Sequence, residues 1–279
     1  MKRLFISADM EGIAGVTTKE QLVVGGFEYQ EARLWMTNEV NAVCKAAFES
    51  GIGEVVVADS HSNGQNILLD QLVENVQLIR SWPRPLTMMQ GIEEDDLIGA
   101  VLLGYHGGAH VAGASLAHTV SLSVIELTVN GQAWSEAELS AAIAGYYKVP
   151  IIMASGDDVF VDEVCPRFKD IETVTTRYSY SGFSGKVISP KTSQRLLAEA
   201  ISRAIKKTNN NIHFELFEPD QPMEVHVKFN NPFLVETLVL LRHVSRVDAH
   251  TVEVLCDDVR EITHFFSFLS SMEAQSWKL

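Results

Sequence analysis

The chain has 279 residues, 46% apolar and 21% charged, with only 18 Gly and 8 Pro, a packed composition that excludes disordered, collagen-like and low-complexity classes. Its 22 Lys plus Arg against 36 Asp plus Glu leave a net charge of −14, which repels phosphate backbones, so no nucleic-acid partner is expected. Met1 to Asp9 turns polar too soon for a secretory h-region, no apolar run reaches the ~18 residues of a membrane span, and Cys44, Cys165 and Cys256 are too scattered for a disulfide framework or a thiolate zinc site. A cytoplasmic protein without a membrane partner is expected.

Residues 3–8 read as a short buried strand ending at Asp9. From Glu28 to Ser50 the apolar positions Met36, Val40, Val43 and Ala47 recur at helical spacing, and Gly51 supplies a stop. Residues 54–58 form a second strand, leading into Asp59-Ser60-His61, and residues 97–105 a third, leading into His106. Thr119 to Val129 alternates as a half-buried strand should and runs into Asn130-Gly131, a hairpin signal. Ser135 reads as the N-cap of a helix over 136–147, with Glu138 placed to complete a capping box. Val149 to Ala154 is a further buried strand, and Asp157-Asp158 behind it reads as the cap of a helix near 159–164.

Beyond residue 185 the pattern changes. Ser189-Pro190 opens a helix that carries Leu196, Leu197, Ala200, Ile201 and Ala204 and ends near Lys206-Lys207. Strands are expected at 223–229 and 251–255, and helices near 235–241 and 257–270. The expected class is therefore α/β, a mainly parallel sheet flanked by helices, with a smaller α+β C-terminal part. The expected division is a catalytic unit over 1–185 and a smaller unit over 186–279.

Polar residues at the ends of the expected strands carry the chemistry. Asp9 and Glu11 stand at i and i+2, so an extended backbone points both carboxylates to one side. His61 and His106 end two further strands, and open α/β sheets gather ligands at the carboxyl ends of their strands. Glu136 opens the helix after the hairpin and can turn back to the same crevice. Three carboxylates with two imidazoles suit zinc, manganese or iron better than calcium or magnesium alone. Two divalent ions carry +4 against three carboxylates, and Asp9 is the carboxylate best placed to bridge them. Asp59 is expected to orient His61 from behind.

Asp9-Met10-Glu11-Gly12-Ile13, Asp59-Ser60-His61-Ser62, Gly104-Tyr105-His106 and Ala144-Gly145-Tyr146-Tyr147-Lys148-Val149-Pro150, followed by Gly156-Asp157-Asp158, resemble the zinc D-aminopeptidases of the dipeptide-permease operon type, the DppA family of metallopeptidases. The resemblance runs in order from residue 4 to about 190. It implies two zinc ions per chain held by Asp9, Glu11, His61, His106 and Glu136, with His118 in Ala117-His118-Thr119 as the catalytic histidine, either nucleophile or general acid/base. It also implies short peptide substrates with an N-terminal D-residue of the D-Ala type, and a homo-oligomeric ring, a homodecamer in that family. The stretch between His106 and His118 is one residue longer than the family pattern and holds His110, a rival for the catalytic place; Glu138 is a rival ligand to Glu136. The ligand set alone leaves open another two-metal amide or phosphoester hydrolase, or a non-catalytic relative that binds peptide or metal.

Overall fold

In the computed structural model, which describes residues 1–164 and 166–276, the strand β1 (Arg3–Ala8) is buried on both faces. Leu4 and Ile6 pack into one apolar cluster and Phe5 into another, as the period of two requires. Elements follow as α1 (Tyr29–Glu49), β2 (Glu54–Asp59), β3 (Val76–Ile79), β4 (Leu97–Tyr105), β5 (Val124–Val129), β6 (Gln132–Ala133) and α2 (Glu136–Tyr146). Then come β7 (Ile151–Asp157), α3 (Asp158–Val164), β8 (Glu172–Ser181), β9 (Ser184–Val187) and α4 (Pro190–Asn209). The chain closes with β10 (Met223–Phe229), α5 (Pro232–Leu238), β11 (Val244–Arg246), β12 (Thr251–Cys256) and α6 (Val259–Ser276). Cys165 lies outside the described residues; Cys44 and Cys256 are buried free thiols.

A seven-stranded sheet runs β3-β2-β1-β4-β7-β8-β9, parallel except where β9 returns along β8. One face is covered by α1 and α4, whose buried residues Met36, Val40, Leu197 and Ile201 meet Ile6, Val57 and Val101. The other face meets α2, α6 and a second, antiparallel sheet ordered β11-β12-β10-β5-β6. The α/β class expected from sequence is what the chain adopts. The second sheet draws on both sides of residue 185, because the hairpin β5–β6 pairs with β10.

Local differences have local causes. The strand expected from Thr119 begins only at Val124, because the Val120 N–H is taken by the Glu136 carboxylate instead of a ladder partner. The helix expected at 235–241 starts earlier, at Pro232, where the Asn231 side chain accepts the Phe233 N–H at 3.0 Å. Strands β3, β8, β9 and β11 lie outside the sequence expectations; β8 reads Glu-Thr-Val-Thr-Thr-Arg-Tyr-Ser-Tyr-Ser and has no apolar run.

Within α1, Glu39 is fully buried and accepts the Ala14 N–H at 3.1 Å. Burial pushes its carboxyl up to about 8 from an ordinary 4.5, against the Ser193 hydroxyl and Ala14 N–H that favour its charge. Between those two values the unfolded chain releases a proton that the native state retains, so stability falls as pH rises through that window. Glu39→Gln removes this dependence. At pH 7 it is expected to be more stable by up to about 3 kcal/mol, at 1.36 kcal/mol per pKa unit, with little gain at pH 4. Urea midpoints at both pH values check this; parallel pH profiles for the two proteins would refute it.

Candidate metal centre

Strand order reverses at β1: β2 and β3 lie to one side, β4 and β7 to the other. Such a switch point opens a crevice at the carboxyl ends of the strands. Asp9 follows β1, His61 lies just beyond β2, and His106 follows β4. Two glycines let these ends close up. A Cβ on Gly12 would sit 2.0 Å from the Tyr105 carbonyl oxygen, and one on Gly104 would sit 2.4 Å from that of Asp9, with Gly104 at φ +72°. The Gly12 N–H donates to Gly104 O at 2.7 Å, locking the 9–12 turn against β4.

The structure brings together all five residues expected as ligands, together with His118. His61 Nδ1 is 3.0 Å from Glu11 Oε2 and 3.3 Å from Asp9 Oδ1. His106 Nε2 is 3.5 Å from Asp9 Oδ2 and 3.4 Å from Glu136 Oε2. Asp9 therefore aims one oxygen at each half of the cluster. Asp9, Glu11 and His61 offer atoms mutually within 4.8 Å, and so do His106, His118 and Glu136. All but His118 are buried; the His118 side chain is 19% exposed. It stacks on His106 with ring centroids 4.2 Å apart and planes at 9°.

Backbone carbonyls orient the three imidazoles. His61 Nε2 donates to Leu22 O at 2.8 Å, His106 Nδ1 to Gly107 O at 3.0 Å, and His118 Nδ1 to Leu116 O at 3.0 Å. A carbonyl can only accept, so each of these nitrogens carries its N–H, and each ring turns its other nitrogen toward the carboxylates. These bonds have no sequence signal, because any residue supplies the carbonyl. The loop bearing His118 is tightly held, with Val120 at φ +62°, a conformation that β-branched residues avoid. Glu136 Oε1 accepts the Val120 N–H at 2.6 Å, which leaves Oε2 for His106.

Electrostatics follow from this packing. Burial opposes ionisation of Asp9, but His106 and His61 outweigh it and hold the carboxyl well below its usual range. Glu136 is lowered in the same sense, with burial opposed by His106 and then His118. Burial opposes the charged forms of His61 and His106 too, yet Glu11 and Asp9 for the first, and Glu136 and Asp9 for the second, raise both well above the ordinary imidazole value. The donor set fits a divalent cation: His106 Nε2 is buried without a hydrogen-bond partner, and Asp9 faces two imidazole nitrogens at once.

The rivals are placed elsewhere. Glu138 accepts from the Ser135 N–H and hydroxyl through Oε2, forming the expected capping box, and pairs with Arg167 Nε at 2.8 Å through Oε1. His110 Nε2 is 3.3 Å from Glu163 Oε1, away from the cluster. Asp59 does not touch the His61 ring. Its carboxylate takes the Asn66 and Ile67 N–H groups and the Asn66 side chain, which in turn donates to His61 O at 2.7 Å, so it fixes the loop rather than the imidazole. Asp157 caps α3 through the Phe160 N–H, as expected, and also faces Arg177 Nη2 at 3.3 Å. Sequence reasoning missed Arg177, fully buried on β8, whose Nη1 donates to Glu11 O at 2.8 Å and to Val16 O.

The D-aminopeptidase family profile, Peptidase_M55, matches residues 1–268. The chain belongs to this family. A D-aminopeptidase of Bacillus subtilis (strain 168) is 34% identical over 229 residues, 82% of either protein. A solved structure, the Zn-dependent D-aminopeptidase DppA from Bacillus subtilis, described as a self-compartmentalizing protease, matches with a TM-score of 0.90 and 29% identity over 97% of both chains. As a D-aminopeptidase the chain is a hydrolase of peptide bonds. Asp9, Glu11, His61, His118 and Glu136 lie in the wall of a cavity of about 1060 Å³, mostly apolar elsewhere, with Leu22, Trp82, Met88, Leu116 and Phe183 among the lining residues. The same D-aminopeptidase has no helix long and apolar enough to cross a membrane among its described residues.

Proposed function

We propose that this D-aminopeptidase works with two zinc ions per chain, held by Asp9, Glu11 and His61 on one side and Asp9, His106 and Glu136 on the other, and removes N-terminal D-residues of the D-Ala type from short peptides. The observation that carries this reading is the Asp9 carboxylate, whose two oxygens face His61 and His106 separately. When bound, zinc supplies positive charge that polarises the scissile carbonyl and acidifies water. The zinc dependence of the Bacillus subtilis structure supports the choice of metal.

His118 is the catalytic residue in this reading. The Leu116 carbonyl holds its Nδ1–H, so Nε2 is the atom free to take a proton from attacking water and deliver it to the departing amine. The same atom could attack the carbonyl directly. Its stacking on His106 and its partial exposure set the ring in the cavity wall beside the buried cluster. A closed homo-oligomer in the cytoplasm completes the reading. It is supported by the self-compartmentalizing relative and by exposed apolar side chains such as Val24, Phe27, Phe233 and Leu240, which assembly would bury.

The test combines metal analysis with a substrate panel. Purified protein is expected to hold close to two zinc ions per chain and to cleave D-alanyl dipeptides in preference to their L-counterparts. A strong chelator should abolish turnover and added zinc should restore it. Turnover that is insensitive to chelation would overturn the metal reading, and preference for a phosphoester would overturn the peptide one.

A further inference from the structure

One charged side chain in the cavity wall has no place in the metal chemistry. Lys19 opens the 3-10 turn Lys19–Leu22, whose far end carries the carbonyl bonded to His61 Nε2. Gln21 fixes that turn to the preceding loop: its Oε1 accepts the Thr17 and Thr18 N–H groups at 2.8 and 3.0 Å, and its Nε2 donates to Gly15 O at 3.1 Å. The turn is thereby tied at both ends to the segment that bears Glu11 and to the His61 ring. Lys19 Nζ lies over the Phe183 ring, 5.9 Å from its centroid, and both residues line the cavity. Among the described lining residues Lys19 is the single ammonium or guanidinium group; the other charged groups there are the carboxylates and imidazoles of the cluster.

A short peptide carries an ammonium at the end to be cleaved and a carboxylate at the other, separated by roughly 3.5 Å per extended residue. In a protein of net charge −14 that carboxylate is repelled unless a cation receives it. We propose that Lys19 is a specificity-determining residue that binds the C-terminal carboxylate of dipeptide or tripeptide substrates, with Phe183 restraining its ammonium. Free acids are then selected over amides. This rests on the D-aminopeptidase reading of the metal centre.

The experiment compares kcat/KM for D-alanyl-D-alanine and for its C-terminal amide in wild type, Lys19→Met and Lys19→Arg, with D-alanine p-nitroanilide as a wild-type control that lacks a carboxylate. Wild type should favour the free acid by roughly tenfold, the range between an exposed ion pair and a charged hydrogen bond. The preference should weaken as salt is added. In Lys19→Met the ratio should fall to about one, mainly through KM for the acid, and Lys19→Arg should restore most of it. Equal acid and amide rates in wild type, alongside p-nitroanilide turnover, would overturn the role of Lys19 alone. Failure to hydrolyse any of the three substrates would overturn the peptidase reading and this inference with it.

Discussion

Asp9→Ala is expected to strip the protein of most of its zinc and to lower kcat/KM by roughly 10³-fold or more, since the several kcal/mol of charge stabilisation that the metals supply is lost with them. The reason is geometric. Among the described residues Asp9 is the one carboxylate within 3.5 Å of both His61 and His106, so its removal weakens both halves of the cluster. Glu11→Ala and Glu136→Ala each touch one half, and are expected to leave more zinc behind. The Asp9 variant is expected to melt at a lower temperature, because His61 and His106 lose the carboxylate they share, so zinc is measured on the folded fraction. Zinc analysis with a melting curve separates the outcomes. A folded Asp9→Ala protein with zinc content equal to wild type would refute the bridging assignment.

For His118→Ala the expected result is different: zinc content and melting temperature near those of wild type, with turnover lowered by roughly 10²–10⁴, the span for a lost acid/base group. His118 makes its hydrogen bond to its own loop and is partly exposed, so little packing is lost with it. His110→Ala should change turnover only a few-fold, because that ring pairs with Glu163 outside the cluster. If His118→Ala instead loses zinc in parallel with activity, the imidazole is a ligand beside His106 and Glu136. If the large loss appears at His110, the extra residue in the 106–118 stretch has moved the catalytic place.

Much of this site was legible in the sequence because parallel sheets impose a rule: residues just past the carboxyl end of a strand face the crevice. Asp9, His61 and His106 each come after a run of buried residues, and Ser135-Glu136-x-Glu138 announces a helix start. Glu138 could be separated from Glu136 only once Arg167 and Ser135 were seen to occupy both of its oxygens. The support behind the ligands was not legible. It consists of the carbonyls of Leu22, Gly107 and Leu116, brought near by tertiary folding, and of Arg177 in a strand without an apolar run. The start of β5 escapes the sequence for a related reason. Alternation from Thr119 onward cannot reveal that a distant carboxylate claims the Val120 N–H.

The route of the chain through the cluster has a mechanical consequence. Asp9, His61 and His106 hang from the large parallel sheet, whereas Glu136 heads the helix that follows the β5–β6 hairpin, part of the antiparallel sheet. The chain crosses between the sheets three times, after β4, after β6 and after β9; the stretch from His106 to Glu136 covers the first span and carries His118 on the way. A pair of bound cations would fasten this span at both ends and act as an internal rivet between the layers. Mass action at a thousand times the dissociation constant adds about 4 kcal/mol to the folded state. That gain would fall on the seam where the sheets could otherwise separate, so ions bound there would also make the two layers unfold as one.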